Sequence, residues 1–428
     1  MFSFKWKKPF LVLTMLLLLL TSVDSVFAAS TTTIANNGVY ACRRTFGGGL
    51  YDSTANKTFV CWSGAGMDVY VNEYNHSTNA WGTPVKIADW DKPTANAYHD
   101  YPTMVLLPDG KLGIFLNSHA VGAYLLKAPN THSIAGTWAK SQISTDKNCY
   151  PMPVVSGSDV YYFYSRNDDL SFPYRTYKYI KSSDSGSSWS SPLTVIDSQK
   201  LNNQFDEVYA YSVYPKDGKI YITWVLSGGP LGHNGQSKNL YIAYFNTSDG
   251  KMYTVAGGSL GNMVDYNDLS KCVIEEVSPT STTKFPITYS AASMCTDGTV
   301  VVAYGKSTDS SSAIKFARWD GSSWTINTID SGTSSFKDVT KAGDNAFEVL
   351  YMSGNTIIST KTADKGSTWT NNYSVAAPYA NGADRVTGIS FVEGRHSSKA
   401  VSVFGTTFNY ANRDVDYSGK WPVFSIGE

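Results

Sequence analysis

A turn between two short apolar runs recurs along this chain about every 57 residues, and a repeat of that length narrows the possible folds more than composition does. The turns fall near Thr54–Asn56, Asp109-Gly110, Gly157-Ser158, Asp217-Gly218, Asp297-Gly298, Gly343-Asp344 and Gly394-Arg395. About 26–36 residues after each turn comes an aromatic that ends a further hairpin: Trp81, Trp138, Trp189, Tyr253, Trp324, Trp369 and Trp421. Strand signals dominate, and helical periodicity is scarce. Seven units of about four strands point to an all-β fold, a seven-bladed β-propeller. A β-sandwich or a pair of β-domains needs no such regular period. No Pro/Gly/Ser linker divides the chain, so residues 29–428 are expected to form a single propeller domain.

Two units carry an Asp-box, Ser182–Trp189 (SSDSGSSW) and Thr362–Trp369 (TADKGSTW), with degenerate versions at Trp319–Trp324 and Gly136–Trp138. In such a turn the Asp accepts hydrogen bonds from its own loop, the Gly supplies an unusual dihedral, and the Trp packs between blades. These carboxylates are turn-formers rather than catalysts. The Gly38–Cys42 or the Trp421–Ile426 segment is expected to close the ring by pairing one end of the chain with the other.

The first residues read as a secretory signal rather than as part of the fold. Lys5, Lys7 and Lys8 precede the apolar run Phe10–Leu20, and Val26-Phe27-Ala28 is a small-residue cleavage pattern, so residues 1–28 are expected to be removed. Secretion follows as the expected localisation, with no membrane attachment after cleavage. The 35 basic and 35 acidic residues lose three Lys and one Asp with the signal, which leaves the mature chain near −2. That balance gives no support for a nucleic-acid or anionic-membrane partner. The five cysteines, Cys42, Cys61, Cys149, Cys272 and Cys295, are an odd number in a compartment that permits disulfides. Cys42 and Cys61 are placed to join neighbouring strands, but mostly buried structural cysteines are the favoured reading.

The hairpin in Tyr98–Ala120 (YHDYPTMVLLPDGKLGIFLNSHA) shows where a site would form. Its turn is Pro108-Asp109-Gly110, and His99 and His119 flank its open end. The first strand of each propeller blade lines the axis, so the open ends of the inner hairpins gather on the face opposite the turns. That face would collect Arg43, Arg44 and Trp62, then His99 and His119, then Tyr150 and Arg166. Tyr211 and the loop with His233 and Asn234 follow, then Tyr289 and Lys306, and finally Arg385. Asp100, Asp168 and Asp206 lie nearby, with Asp100 more suited to orienting His99.

A set rich in His, Tyr and Arg and poor in paired carboxylates suits an acidic sugar. Arg neutralises a uronate carboxylate and so acidifies the adjacent C–H. A His or a Tyr phenolate then removes that proton while a second group protonates the departing oxygen. That reaction is β-elimination of a glycosidic bond.

The runs HDYPTMVLLPDGKLGIFLNSHA, CYPMPVV, SRND and YSVYPKDGKIYITW resemble secreted BNR-type propellers labelled neuraminidase-like. Within that group the chain is most similar to the seven-bladed polysaccharide lyases, the ulvan lyases and related rhamnosyl-glucuronate lyases. The resemblance implies an extracellular lyase of a uronate glycan, in which His99, Tyr150 and Arg166 are catalytic. His119 and Tyr211 match further site positions; His233 and Arg385 join them as expected substrate contacts. Ser165 stands before Arg166 where the family has an aromatic, and Ala120 follows His119 where it has Asn. No cofactor is required by this chemistry. Some relatives bind calcium or zinc, and no structural ligand set for either is recognisable here. A monomer acting on an acidic polysaccharide is expected. The alternatives are a sialidase-like glycoside hydrolase, for which the Arg-Ile-Pro stretch is missing, and a non-catalytic glycan-binding propeller.

Overall fold

Each turn named above closes the first hairpin of an antiparallel meander. Gly49–Asp52 pairs with Lys57–Ser63, Thr103–Leu106 with Lys111–Asn117, and the C-terminal half of Ala139–Ser156 with Asp159–Asp169. The pattern continues with Glu207–Lys216 on Lys219–Gly228 and Ile287–Met294 on Val300–Ser307. It ends with Ser334–Lys341 on Phe347–Ser353 and Asp384–Phe391 on Val403–Asn409. These pairings come from a computed structural model that describes residues 28–39, 47–90, 101–117, 121–169, 174–199, 205–379, 384–409 and 418–428. Residues 1–27 of the signal segment, Cys42, Arg43, Arg44, His99 and His119 lie outside the described residues.

The fold is an all-β propeller. Outward of each first hairpin come a third strand and an outer edge, as in Tyr174–Ser182 followed by Leu193–Ile196. One strand serves two meanders. Ala139–Lys147 completes the meander begun by Thr103–Leu106, and the same strand then continues as the inner strand of the next. The register shifts across this passage, and within it Tyr150 adopts a φ of +64°. A bulky residue in the left-handed region is held there only when its surroundings demand it.

The ring closes with strand Ser30–Gly38, which pairs antiparallel with Trp421–Gly427 from Ser30↔Gly427 to Gly38↔Trp421. The closing strand therefore begins earlier than the expected Gly38–Cys42. One consequence is that Trp421 opens a third strand, whereas Trp81, Trp138, Trp189, Trp324 and Trp369 sit at the passage from third to fourth; the chain's own N-terminus supplies the fourth strand here. The inner strands surround two adjoining axial cavities that share Pro215, Glu393 and Gly394 in their walls.

On the turn side, Asp184 Oδ1 accepts from the backbone N–H of Ser187 and Ser188 at 3.0 and 2.8 Å and from the Ser182 hydroxyl at 2.7 Å. Asp364 does the same with Thr368 and Thr362. The following rings pack on the preceding meander: Trp189 is edge-on to Phe115 at 5.9 Å and Trp369 to Phe316 at 5.0 Å. Gly366, at φ +86°, sits so close to Phe316 that a Cβ would lie 2.4 Å from its ring. These turns fasten one meander to the next.

Candidate active site

Backbone pairing sets which groups meet at the end opposite the turns. Asn148 pairs with Arg166 and Cys149 with Ser165, so Tyr150 and Arg166 lie on adjacent strands at the open end of one inner hairpin. The next inner strand starts at Glu207, which is brought against Arg175 by a parallel pair between neighbouring meanders. His233 follows the short helical turn Gly229–Leu231 beyond the second strand of that meander.

These positions build a linked cluster. The Arg175 and Glu207 side chains are each only 1% exposed, with Arg175 Nε 3.6 Å from Glu207 Oε1. The guanidinium carbon of Arg175 lies 4.8 Å from the Tyr209 ring centre and 6.0 Å from that of Tyr150; the two rings are 6.0 Å apart. Glu207 is held from its other side. His233 Nδ1 lies 2.5 Å from Oε1, and the Asn234 N–H donates to Oε2 at 2.8 Å. Half of the His233 side chain is exposed, so the ring edge carrying Nε2 points away from the buried carboxylate.

The electrostatics follow from this packing. Burial opposes the charge on Arg175, but Tyr209, Tyr150, Cys149 and Glu207 around it outweigh that effect and the net shift is upward, so the group stays a cation. Burial pushes the Tyr209 phenol well above its ordinary range, with Arg175 opposing. All three guanidinium nitrogens of Arg175 are buried without a hydrogen bond among the described residues. Such a group costs several kcal/mol unless its surroundings compensate it, roughly 3–5 kcal/mol when a partner is removed. It is therefore a feature that folding alone does not favour.

The other expected residues among those described have partners of their own. Arg166 donates Nε–H to Asp146 Oδ1 at 3.0 Å, and Asp146 also accepts from Tyr164 at 2.8 Å. Tyr211 is turned toward the next inner strand, donating to the Ile287 carbonyl at 3.3 Å, with its ring 5.3 Å from Tyr289. Lys306 is paired with Glu275 at 2.5 Å. Arg385 pairs through its backbone with Phe408 near the open end of its hairpin. Trp62 is a correction. It is fully buried, donates to Asn37 Oδ1 at 3.0 Å and stacks on Tyr70, so it belongs to the core and not to a ligand face.

Sequence reasoning misses Arg175, Glu207 and Tyr209. The signal it offers is alternation: Arg175 shares a strand face with Tyr177 and Tyr179, and Glu207 shares one with Tyr209. A charge on a face otherwise made of buried rings marks an unusual environment. Cys61, Cys149, Cys272 and Cys295 are all buried, in keeping with structural cysteines; the Cys42–Cys61 pairing involves a residue outside those described. Among the described residues, no group of three or more His, Cys, Asp or Glu is arranged to hold a metal ion.

Residues 57–331 match the model of a BNR repeat-containing family member. The chain is 26% identical over 235 residues to an ulvan lyase from Alteromonas sp. (strain LOR), a match covering 47% of each chain. It thus spans about half the length of that curated relative. Among solved structures, a PL25 ulvan lyase bound to -[GlcA(1-4)Rha3S]- superposes with a TM-score of 0.74 at 16% identity, covering 93% of this chain and 96% of that one. The polysaccharide lyase Uly1 gives a TM-score of 0.61 at 10% identity, covering 93% and 99%. Both superpositions show the propeller fold.

Proposed function

Because this chain belongs to the BNR repeat-containing family, we propose that it is a seven-bladed, secreted polysaccharide lyase that cleaves a uronate-containing glycan, with rhamnose–uronate polymers as the first candidates, by β-elimination. The sequence likeness to an ulvan lyase and the fold shared with lyase structures support the polysaccharide-lyase class. The observation that carries the reading to chemistry is the cluster joining Tyr150, Tyr209, Arg175, Glu207 and His233 at one end of adjacent inner hairpins.

In this reading Arg166, oriented by Asp146, meets the uronate carboxylate and stabilises the charge that develops when the C5 proton leaves. Tyr150 and His99 share the proton transfers, and His119, Tyr211, His233 and Arg385 bind or position the sugar. A hydrolase would need two carboxyl groups about 5–10 Å apart, one of them protonated. Three carboxylates described on this face are instead held by basic side chains: Asp146 by Arg166, Glu207 by Arg175 and His233, and Glu275 by Lys306.

The test is a panel of uronate glycans, namely ulvan, rhamnosyl-glucuronate side chains, glycosaminoglycans and pectin, followed by ultraviolet absorbance. Elimination leaves an unsaturated uronate that absorbs, and His99→Ala should abolish the signal. Chain cleavage without that chromophore would sink the lyase reading.

A further inference from the structure

The cluster has two ends of opposite character. At one end a buried cation lies against phenol rings, with Arg175 over Tyr209 and Tyr150. At the other a buried anion holds an imidazole, with Glu207 Oε1 2.5 Å from His233 Nδ1. The cation and anion are neighbours, 3.6 Å apart, and neither is exposed by more than 1%. A buried ion pair built only for stability would be enclosed by neutral groups and satisfied within itself. This one has a proton-handling side chain at each end.

Resting on the lyase reading above but reassigning one proton transfer within it, we propose that His233, rather than His99, is the general acid of the elimination, with Glu207 as its positioning residue, that Tyr150 on the Arg175 side is the base, and that His99 positions the sugar. The negative charge of the Tyr150 phenolate, present until it takes the proton, is compensated by Arg175. Positive charge on the His233 ring is compensated by Glu207, which also fixes the proton on Nδ1 and aims Nε2 outward. Two groups capable of either role are thus assigned opposite ones by their surroundings. The step balances within the substrate. Tyr150 enters the step as the phenolate, its own proton already lost to solvent; its oxygen takes the C5 proton, the C5–H electrons form the C4=C5 bond, and the C4–O4 bond breaks. His233 Nε2–H then delivers a proton to the leaving O4.

The assignment is tested with full-length protein in two independent ways. In the first, His233→Ala is compared with wild type on a uronate glycan and on a synthetic uronate carrying a nitrophenol at O4. A nitrophenolate leaves without help, so an acid is needed only for the glycan. The expected result is a kcat loss of roughly 100-fold or more on the glycan. KM should be little changed, near-wild-type elimination of the nitrophenol should remain, and added imidazole should partly restore glycan cleavage. Equal losses on both substrates, or no loss on either, would overturn the assignment.

The second arm needs no substrate. Proton NMR of the wild type should show a low-field Nδ1–H resonance that disappears in His233→Ala. It should also disappear in the double variant Arg175→Met/Glu207→Gln, where both buried charges are removed together so that folding is not left with one of them alone. A wild-type spectrum without that resonance overturns the dyad while the ultraviolet chromophore leaves the lyase reading intact. A protein with the resonance that cuts no uronate glycan overturns the lyase reading instead.

Discussion

The turn side of the propeller and the opposite face treat their carboxylates in contrary ways. Asp184 draws its hydrogen bonds from Ser182, Ser187 and Ser188, within one turn, and those bonds hold it far below the ordinary carboxylate range. Glu207 is served by Arg175, on a strand of the preceding meander, and by the His233–Asn234 loop of its own meander. The first arrangement is local, exposed and satisfied. The second is distant in sequence, buried, and leaves a guanidinium with no hydrogen bond among the described residues. Local consistency marks structure, and a costly departure from it marks a site.

The largest effect that would break this contrast is expected from Arg175→Met. It leaves Glu207 buried without its cation, and truncating one partner of a buried pair costs about 3–5 kcal/mol. Urea unfolding should show that loss, and cleavage should fall with it. Arg175→Met/Glu207→Gln should recover most of the stability and none of the activity. If the single variant unfolds like wild type, the buried pair is not a strained element. Tyr150→Phe should separate the two quantities in the other direction. It removes only a phenol oxygen, so kcat should drop by roughly 10²–10⁴ while the unfolding midpoint hardly moves.

What is legible in the sequence follows the same division. The turns, the outer aromatics and the strand-rich repeat are local signals, and each named turn does close a first hairpin. Tyr150 and Arg166 can be placed because each stands next to such a hairpin. Arg175 and Glu207 cannot, because their meeting depends on a single parallel pair between two meanders that no sequence period encodes. Trp62 is misleading for a related reason. Its position at a strand end suggests a ligand face, while the ring closure that buries it comes from Asn37 and the Ser30–Gly38 strand.

A smaller effect belongs to the turn side. Gly366→Ala would put a Cβ 2.4 Å from Phe316 at a φ of +86°, which combines left-handed strain with a clash. A loss of about 1–3 kcal/mol is expected, read by thermal or urea unfolding. Gly354→Ala isolates the backbone contribution, since its φ is +56° and no atom lies within 4 Å of the added Cβ; it should cost less. Activity per folded molecule should be unchanged in both. A fall in kcat from Gly366→Ala would mean that the two faces are coupled through the blade, and the turn side could no longer be treated as purely structural.

The smallest expected effect concerns the seam where the ring closes. His76 stacks on His396 with ring centres 4.1 Å apart, donates to or accepts from Thr58 Oγ1 at 2.9 Å, and is flanked by Tyr51 and Tyr74. Its Nδ1 is buried without a hydrogen bond among the described residues. Burial first, and the neighbouring His396 second, push its pKa down to about 4 from 6.5. Between those values the unfolded chain binds a proton that the folded chain resists, so the unfolded state gains as pH falls. Stability from this group is complete above about pH 6.5 and is lost as pH drops toward 4. His76→Phe should therefore flatten the decline in unfolding free energy over that window while leaving neutral-pH cleavage as it was. An unchanged slope would show that the acid sensitivity lies elsewhere. A slope that flattens together with a change in cleavage would instead tie the closure seam to the site, which the spacing of the two clusters on opposite faces argues against.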